Sequence, residues 1–269
     1  MAAGEAQVGG RLDRWLLNAG AALVAAFLVL PIFAVVPAAF NERSFILLPP
    51  ATWSLRWWHV FFADPSWRRA LATSLEVAAC ATILAITLGT AAALGLARLG
   101  GKARALVLAV FVGPVVVPTI VLAVAIYAVA RSIGMVGTLP ALVIAHTMLA
   151  LPYAALNVGV SLRAVDPRLM LAASGLGAAP FRVFRTVTLP LILPGVVGGA
   201  VFAFVTSFDE VVLSMFLAGP SAKTLPVRIW EELRVELTPV VAVAATLMMA
   251  LALAGWAVSR LVGSRRVTA

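Results

Sequence analysis

The stretch RAVDPRLMLAASGLGAAPFRVFRTVTLP, residues 163–190, sets four arginines and three prolines between two long apolar runs, and its reading decides the fold. Asp166 followed by Pro167 marks a helix start, because the carboxylate caps free N–H groups and proline suits the first helical turn. Leu169, Ala172, Ala173 and Leu176 then recur at i, i+3, i+4 and i+7, giving one apolar face. Gly175 and Gly177 end this helix, and Pro180 starts a second short one with Phe181 and Phe184 on one side and Arg182 and Arg185 on another. The segment is too short for a domain and reads as an amphipathic elbow. Such an elbow either lies on lipid headgroups, as basic amphipathic helices do, or docks a partner.

Outward from the elbow the chain is written for a bilayer. Its 269 residues are 63% hydrophobic and 12% charged, with a mean hydropathy of +1.07, against about half apolar and about a quarter charged in a soluble domain. Six stretches approach the roughly 20 apolar residues that a span requires: 16–40, 71–97, 106–130, 139–162, 191–211 and 240–262. The fold expected is an all-α polytopic membrane protein, a single transmembrane domain over 1–269 with the elbow as its loop 163–188. The net charge of +9 does not indicate nucleic acid, because the basic residues are scattered over short connections. With both termini inside, 12 basic residues fall inside and 8 outside, so the positive-inside bias favours cytoplasmic termini. The first stretch, 25 residues long, exceeds the roughly 7 to 15 of a signal h-region and reads as an uncleaved anchor.

Cys80 stands alone within the second span, which argues against disulfide or activated-thiol chemistry. His59 and His146 lack partners at ligand spacing, so no metal site is expected, and His146 reads as a helix-packing residue. The connection 41–69, with Trp53, Trp57, Trp58 and Trp67, reads as interfacial. The segment TLPVRIWEELR, residues 224–234, reads as a short amphipathic helix capped by Thr224. The nearest string to a phosphate loop, LGGKA at 99–103, lacks the first Gly and the Ser or Thr, so any ATP is hydrolysed elsewhere. No catalytic residue is expected.

Two adjacent acids, Asp209 and Glu210, sit in FVTSFDEVVLSMF, residues 204–216. At the bilayer centre they would cost roughly 5 to 7 kcal/mol, at about 2.5 to 3.5 each. The eleven large apolar residues of 191–211 return roughly 3 to 7 kcal/mol. The acids therefore belong near the helix end, in a polar cavity, or protonated. By helical spacing Glu210 shares the more polar face with Ala203, Thr206, Ser207 and Ser214, while Asp209 needs a partner from another helix or subunit. Glu76 is a third acid at membrane depth.

Ala172-Ala173, Gly177 and Val187-Thr188-Leu189-Pro190, at their spacing, resemble the EAA loop of ABC-type, binding-protein-dependent import permeases. WRRALATSLEVAACATILAITLGTAAALGLAR (67–98) and SFDEVVLSMFLAGPSAKTLPVRIWEELRVELTPVVAVAATL (207–247) resemble the second, shorter permease of the spermidine/putrescine branch. The resemblance implies a type I importer fold in the inner membrane, a second permease subunit, two ATPase subunits carrying ATP and magnesium, and a periplasmic solute-binding protein. No cofactor is expected on this chain itself. It also implies that Leu171, Ala172, Ala173, Leu176, Gly177 and Pro190 couple to the ATPase, with Leu171 at the position of the motif's glutamate. Glu210, Asp209 and Glu76 are expected to pass a cationic solute or to shape an outer gate. FVGPVVVPTI (111–120) lacks the acid that polyamine permeases often carry in the third span. Opines, amino acid derivatives and phosphonates stay open as solutes, and a proton-coupled secondary transporter using Glu210 stays open as a rival.

Overall fold

The computed structural model describes residues 11–46 and 48–264, with side chains over 15–46 and 48–261. Arg11, Arg14, Arg265 and Arg266, counted above on the inner side, and Val262 at the end of the last expected span, fall outside the described side chains. The described chain is helical, without a β-strand beyond an isolated bridge between Asn41 and Trp53. Its order is α1 (Arg11–Ala38), α2 (Arg56–Ala63), α3 (Pro65–Arg98), α4 (Gly101–Val116), α5 (Thr119–Ser132), α6 (Leu139–Arg163), α7 (Pro167–Gly175), α8 (Pro180–Val183), a π-helical turn (Phe184–Thr188), α9 (Leu189–Phe208), α10 (Val212–Leu217), α11 (Leu225–Val235) and α12 (Pro239–Ser264).

Among the described residues, five helices are long and apolar enough to cross a membrane, with a sixth crossing available from a bent pair. That pair corrects the third expected span: 106–130 is not one rod but α4 and α5, bent by 101°. Val117 precedes a proline and is held extended at φ −72°, ψ 133°. Pro118 has no N–H to continue the ladder, so the helix stops and restarts. The fifth expected span is also redrawn. It starts well before Leu191, since α8 runs through the π turn into α9, and it ends at Phe208. Pro190 lies in the first turn of α9 and offers no N–H. The chain accommodates it with a wider turn, in which Leu189 N–H donates to Phe184 O, five residues back.

The chain divides into two compact units. One comprises 1–61 with 236–246; within it Trp57 Nε1 donates to Arg43 O (3.0 Å) and Phe40 packs against Trp53 and Trp58. The other comprises 62–235 with 247–269 and is built on α3, α6 and α9. These three helices meet through small residues spaced by four: Ala85, Gly89 and Ala93; Ala150, Ala154 and Val158; Gly195, Gly199 and Ala203. A Cβ on Gly89 would stand 2.9 Å from Ala155 N, and one on Gly199 3.3 Å from Ala154 Cα. The pairings run α3 parallel to α6 and α9 antiparallel to both. Close backbone approach is how membrane helices gain packing energy when the surrounding lipid is equally apolar.

The second unit therefore has two ends. Arg98, Arg163 and the start of α9 lie at the end that carries α7; Pro65, Leu139 and Phe208 lie at the other. At that other end α10 folds in against α5 and α6, burying Leu213 and Leu217 with Ala123, Leu142 and Ala145. There Gly137, at φ +82°, donates its N–H to Leu217 O at 2.9 Å, and its Cα would lie 2.9 Å from a Cβ on Gly219.

The tightest point is Gly195, where an added Cβ would sit 2.7 Å from Asn157 O and 2.6 Å from Ser161 Cβ. Gly195→Ala is expected to lower stability by about 1–3 kcal/mol through overpacking. Gly95→Ala on α3, whose Cβ meets nothing within 4 Å, is expected to be neutral or slightly stabilising. Thermal unfolding of the detergent-solubilised protein separates the two.

Candidate functional site: an exposed elbow and a broken helix

The elbow is built by local chemistry. Asp166 Oδ1 accepts from Arg168 N–H at 2.9 Å, capping α7 as the Asp-Pro pair requires. At the other end Gly177 N–H donates to Ser174 O (3.0 Å) and Ala178 N–H to Ala173 O (3.2 Å). With Gly177 at φ +83°, this is a Schellman termination, which a left-handed residue makes possible. Gly177 therefore ends the helix, while Gly175 is its last residue. Leu171 and Leu176 are 71% and 90% exposed, and Phe181 is 73% exposed, so the elbow presents hydrocarbon outward. Ala172 is exposed and Ala173 half-buried; Pro190 is half-buried at the start of α9. The elbow's inner contacts run from α7 to α8 and the π turn.

At the opposite end the chain breaks at the two acids. α9 stops at Phe208, and Asp209 to Val211 link it to α10. The helix is therefore not continuous to Val211, and Asp209 and Glu210 do not occupy the two helix faces expected of them. Glu210 turns forward onto α10: its Oε1 accepts from Leu213 N–H at 2.9 Å, satisfying a free donor in the first turn of that helix. Asp209 is exposed and lines a cavity of about 220 Å³ with Phe204, Val205, Phe208, Met248, Met249 and Ala252. Phe204 and Phe208 stack there, with centroids 5.4 Å apart and planes 12° apart. Glu76 is exposed on α3, and no hydrogen bond or ion pair among the described contacts joins it to Asp209 or Glu210.

The break is held by a residue that the motif reading left aside. His146 on α6 is 1% exposed. Its Nδ1 lies 2.9 Å from Ser207 Oγ and 3.0 Å from Ser207 O, before the break. Its Nε2 lies 3.0 Å from Ser214 Oγ, after the break, and Ser214 Oγ donates to Glu210 O at 3.1 Å. The packing role expected of His146 is what the structure shows, with both ring nitrogens used. The signal was present in sequence as two serines seven apart in an apolar run, spaced to meet one polar partner on a neighbouring helix.

Beyond α10, α11 forms as expected but not with the expected cap. Leu225 N–H donates to Ser74 Oγ on α3 at 2.7 Å, whereas Thr224 Oγ1 has no partner. Its charges are largely spent internally: Lys223 pairs with Glu231 (2.8 Å), Arg228 with Glu232 (2.9 Å), and Arg234 lies over Trp230.

An exposed apolar elbow and a polar break in the packed helices thus lie at opposite ends of one bundle of membrane-length helices. The family model described as binding-protein-dependent transport system inner membrane component matches residues 85–267, which include both features. The chain belongs to that family and is a multi-pass inner-membrane permease subunit of an ABC importer. It is 34% identical over 230 residues to the putrescine transport system permease protein PotI of Escherichia coli K12, covering 83% of this chain and 82% of that one. Over 251 residues it is 32% identical to the spermidine/putrescine transport system permease protein PotC of Haemophilus influenzae, covering 92% and 96%. These matches place it in the polyamine branch. A solved bacterial ABC transporter that imports the acidic polysaccharide alginate contains a chain of the same fold, with a TM-score of 0.69 and 15% identity over 91% of this chain and 95% of that one. The fold is the type I importer permease fold.

His146→Ala, which strands the buried Ser207 hydroxyl, removes one partner of Ser214 and leaves a void, is expected to cost about 2–4 kcal/mol of stability, read by thermal unfolding. Glu210→Gln keeps an acceptor for Leu213 N–H and is expected to stay close to wild type, whereas Glu210→Ala loses about 1 kcal/mol. At the elbow, Gly177→Ala forces a left-handed alanine at about 1–2 kcal/mol. Gly175→Ala has open space and no such penalty, so the thermal unfolding midpoint is expected to fall in the first variant alone.

Proposed function

We propose that the chain, with a second permease subunit, forms the pathway of an ATP-driven importer that carries a small cationic organic solute of the polyamine type from periplasm to cytoplasm. The observation that carries this reading is Asp209: an exposed carboxylate heading an apolar cavity with two stacked phenyl rings and two methionines. A carboxylate offsets the desolvation of an ammonium group, while aromatic faces and methylene-compatible walls suit an alkyl amine. The relatives named for putrescine and spermidine support the same class. Glu210 is assigned to shaping the gate, because its carboxylate is committed to the α10 backbone.

In this reading α7 faces the cytoplasm and seats on one of two ATPase subunits, which hold ATP and magnesium, and both termini are cytoplasmic. Leu171 stands where the motif's glutamate would be, so the contact rests on Leu171, Leu176 and Phe181, an apolar rather than ionic seat. The solute-binding protein delivers its ligand at the Asp209 end.

The test is ATP-dependent uptake by the complete transporter in vesicles, with labelled putrescine and spermidine. Asp209→Asn is expected to raise KM or lower uptake at least tenfold while basal ATPase activity persists. Leu176→Asp is expected to abolish uptake and the stimulation of ATPase by loaded binding protein. Unchanged amine uptake in Asp209→Asn would remove the carboxylate from the pathway.

A further inference from the structure

At the α7 end, α3, α4 and α6 enclose a second cavity, of about 500 Å³. Its walls are hydrocarbon, including Leu108, Phe111, Leu156 and Val160, and two guanidinium groups line it, Arg104 and Arg163. Arg104 lies in the first turn of α4 and Arg163 is the last residue of α6, so both charges sit at helix ends while the apolar walls extend towards the helix middles.

Among the described residues, none that lines the cavity is an acid. Between Glu76 and Asp166 the sequence contains neither Asp nor Glu, and Asp166 caps α7 through Arg168 N–H. The ion pairs described in the chain, Lys223 with Glu231 and Arg228 with Glu232, belong to the segment around α11. Arg98 and Lys102 add further positive charge to the same connection. α4 has no buried residue, so the helix that walls one side of the cavity is lightly held by the rest of the chain.

We propose that this cavity binds one anionic phospholipid, its phosphodiester between Arg104 and Arg163 and an acyl chain along Leu108, Phe111, Leu156 and Val160. The order of chemistry matches the occupant: paired cations at a helix end, at headgroup depth, then hydrocarbon at acyl depth. Basic pockets between membrane helices on the cytoplasmic side are where anionic headgroups bind, and a guanidinium binds phosphate oxygens in a fixed fork. The bound lipid supplies the counter-charge and the packing that α4 lacks.

The experiment uses the assembled transporter, purified in detergent and titrated with phosphatidylglycerol or phosphatidylcholine, with bound lipid read by native mass spectrometry and stability by thermal shift. Phosphatidylglycerol is expected to be retained at least tenfold better than phosphatidylcholine and to raise Tm. Arg104→Gln/Arg163→Gln is expected to abolish that difference, while Arg98→Gln/Lys102→Gln, outside the cavity lining, preserves it. A Phe111→Trp variant, which removes no charge, is expected to be quenched by brominated phosphatidylglycerol at lower mole fraction than by brominated phosphatidylcholine. Equal retention of both lipids by the wild type or an undiminished preference in the double-arginine variant would overturn the proposal. So would the same stabilisation by inorganic phosphate alone, or cross-linking of Leu156→Cys to the second permease regardless of lipid.

Discussion

The close approach of α3, α6 and α9 is the constraint on which the rest depends. At the level of Gly89, Ala154 and Gly199 the three backbones are nearly in contact: an added methyl group on Gly89 meets Ala155 N of α6, and one on Gly199 meets Ile86 Cδ1 of α3 together with the Ala154 backbone. In lipid no hydrophobic force drives helices together, so this fit is a principal source of cohesion. It fixes the register of α9 against α6, with Gly195 beside Asn157 and Ser161 at one end and Ser207 beside His146 at the other.

That register gives the helix break its meaning. A serine one residue out of phase would leave His146 a buried ring with unmet nitrogens, at a cost of about 1–3 kcal/mol for each unsatisfied group. With the register set, one imidazole ties α6 to both sides of the break. The tie leaves Asp209 exposed and turns Glu210 onto the first turn of α10. Adjacent acids thus acquire different environments because the helix ends just before them. The separation of roles drawn from helix faces assumed that it did not end.

The sequence was most informative where structure is local. Asp166-Pro167 and the Gly177 turn of the elbow follow from capping and backbone rules that act within a few residues, and the apolar runs located most of the long helices to within a few positions. It was less informative where a break or a partner is tertiary. Pro118 was visible in FVGPVVVPTI, yet composition over 20 residues averages a single proline away, so α4 and α5 read as one span. The cap of α11 comes from Ser74, 151 residues earlier, and no local rule reaches that far. The pairing of His146 with Ser207 and Ser214 likewise requires the α6–α9 register before the polar spacing has a target.

A displacement of α7 has a short mechanical route to the acids. α7 touches α8 and the π turn, and from Pro180 to Phe208 the chain is helical without interruption, ending one residue before Asp209. Two features along that route are compliant: the π turn, with its Leu189-to-Phe184 hydrogen bond, and Pro194, which removes one rung inside α9. Immediately beyond Pro194, Gly195 is wedged against α6. A push at the elbow that bends the route is therefore absorbed before Gly195, whereas one that moves α9 and α6 together arrives intact at His146, which belongs to both arms of the break. The geometry favours the second mode, in which α6 and α9 move as one body and the break at Asp209 keeps its own shape.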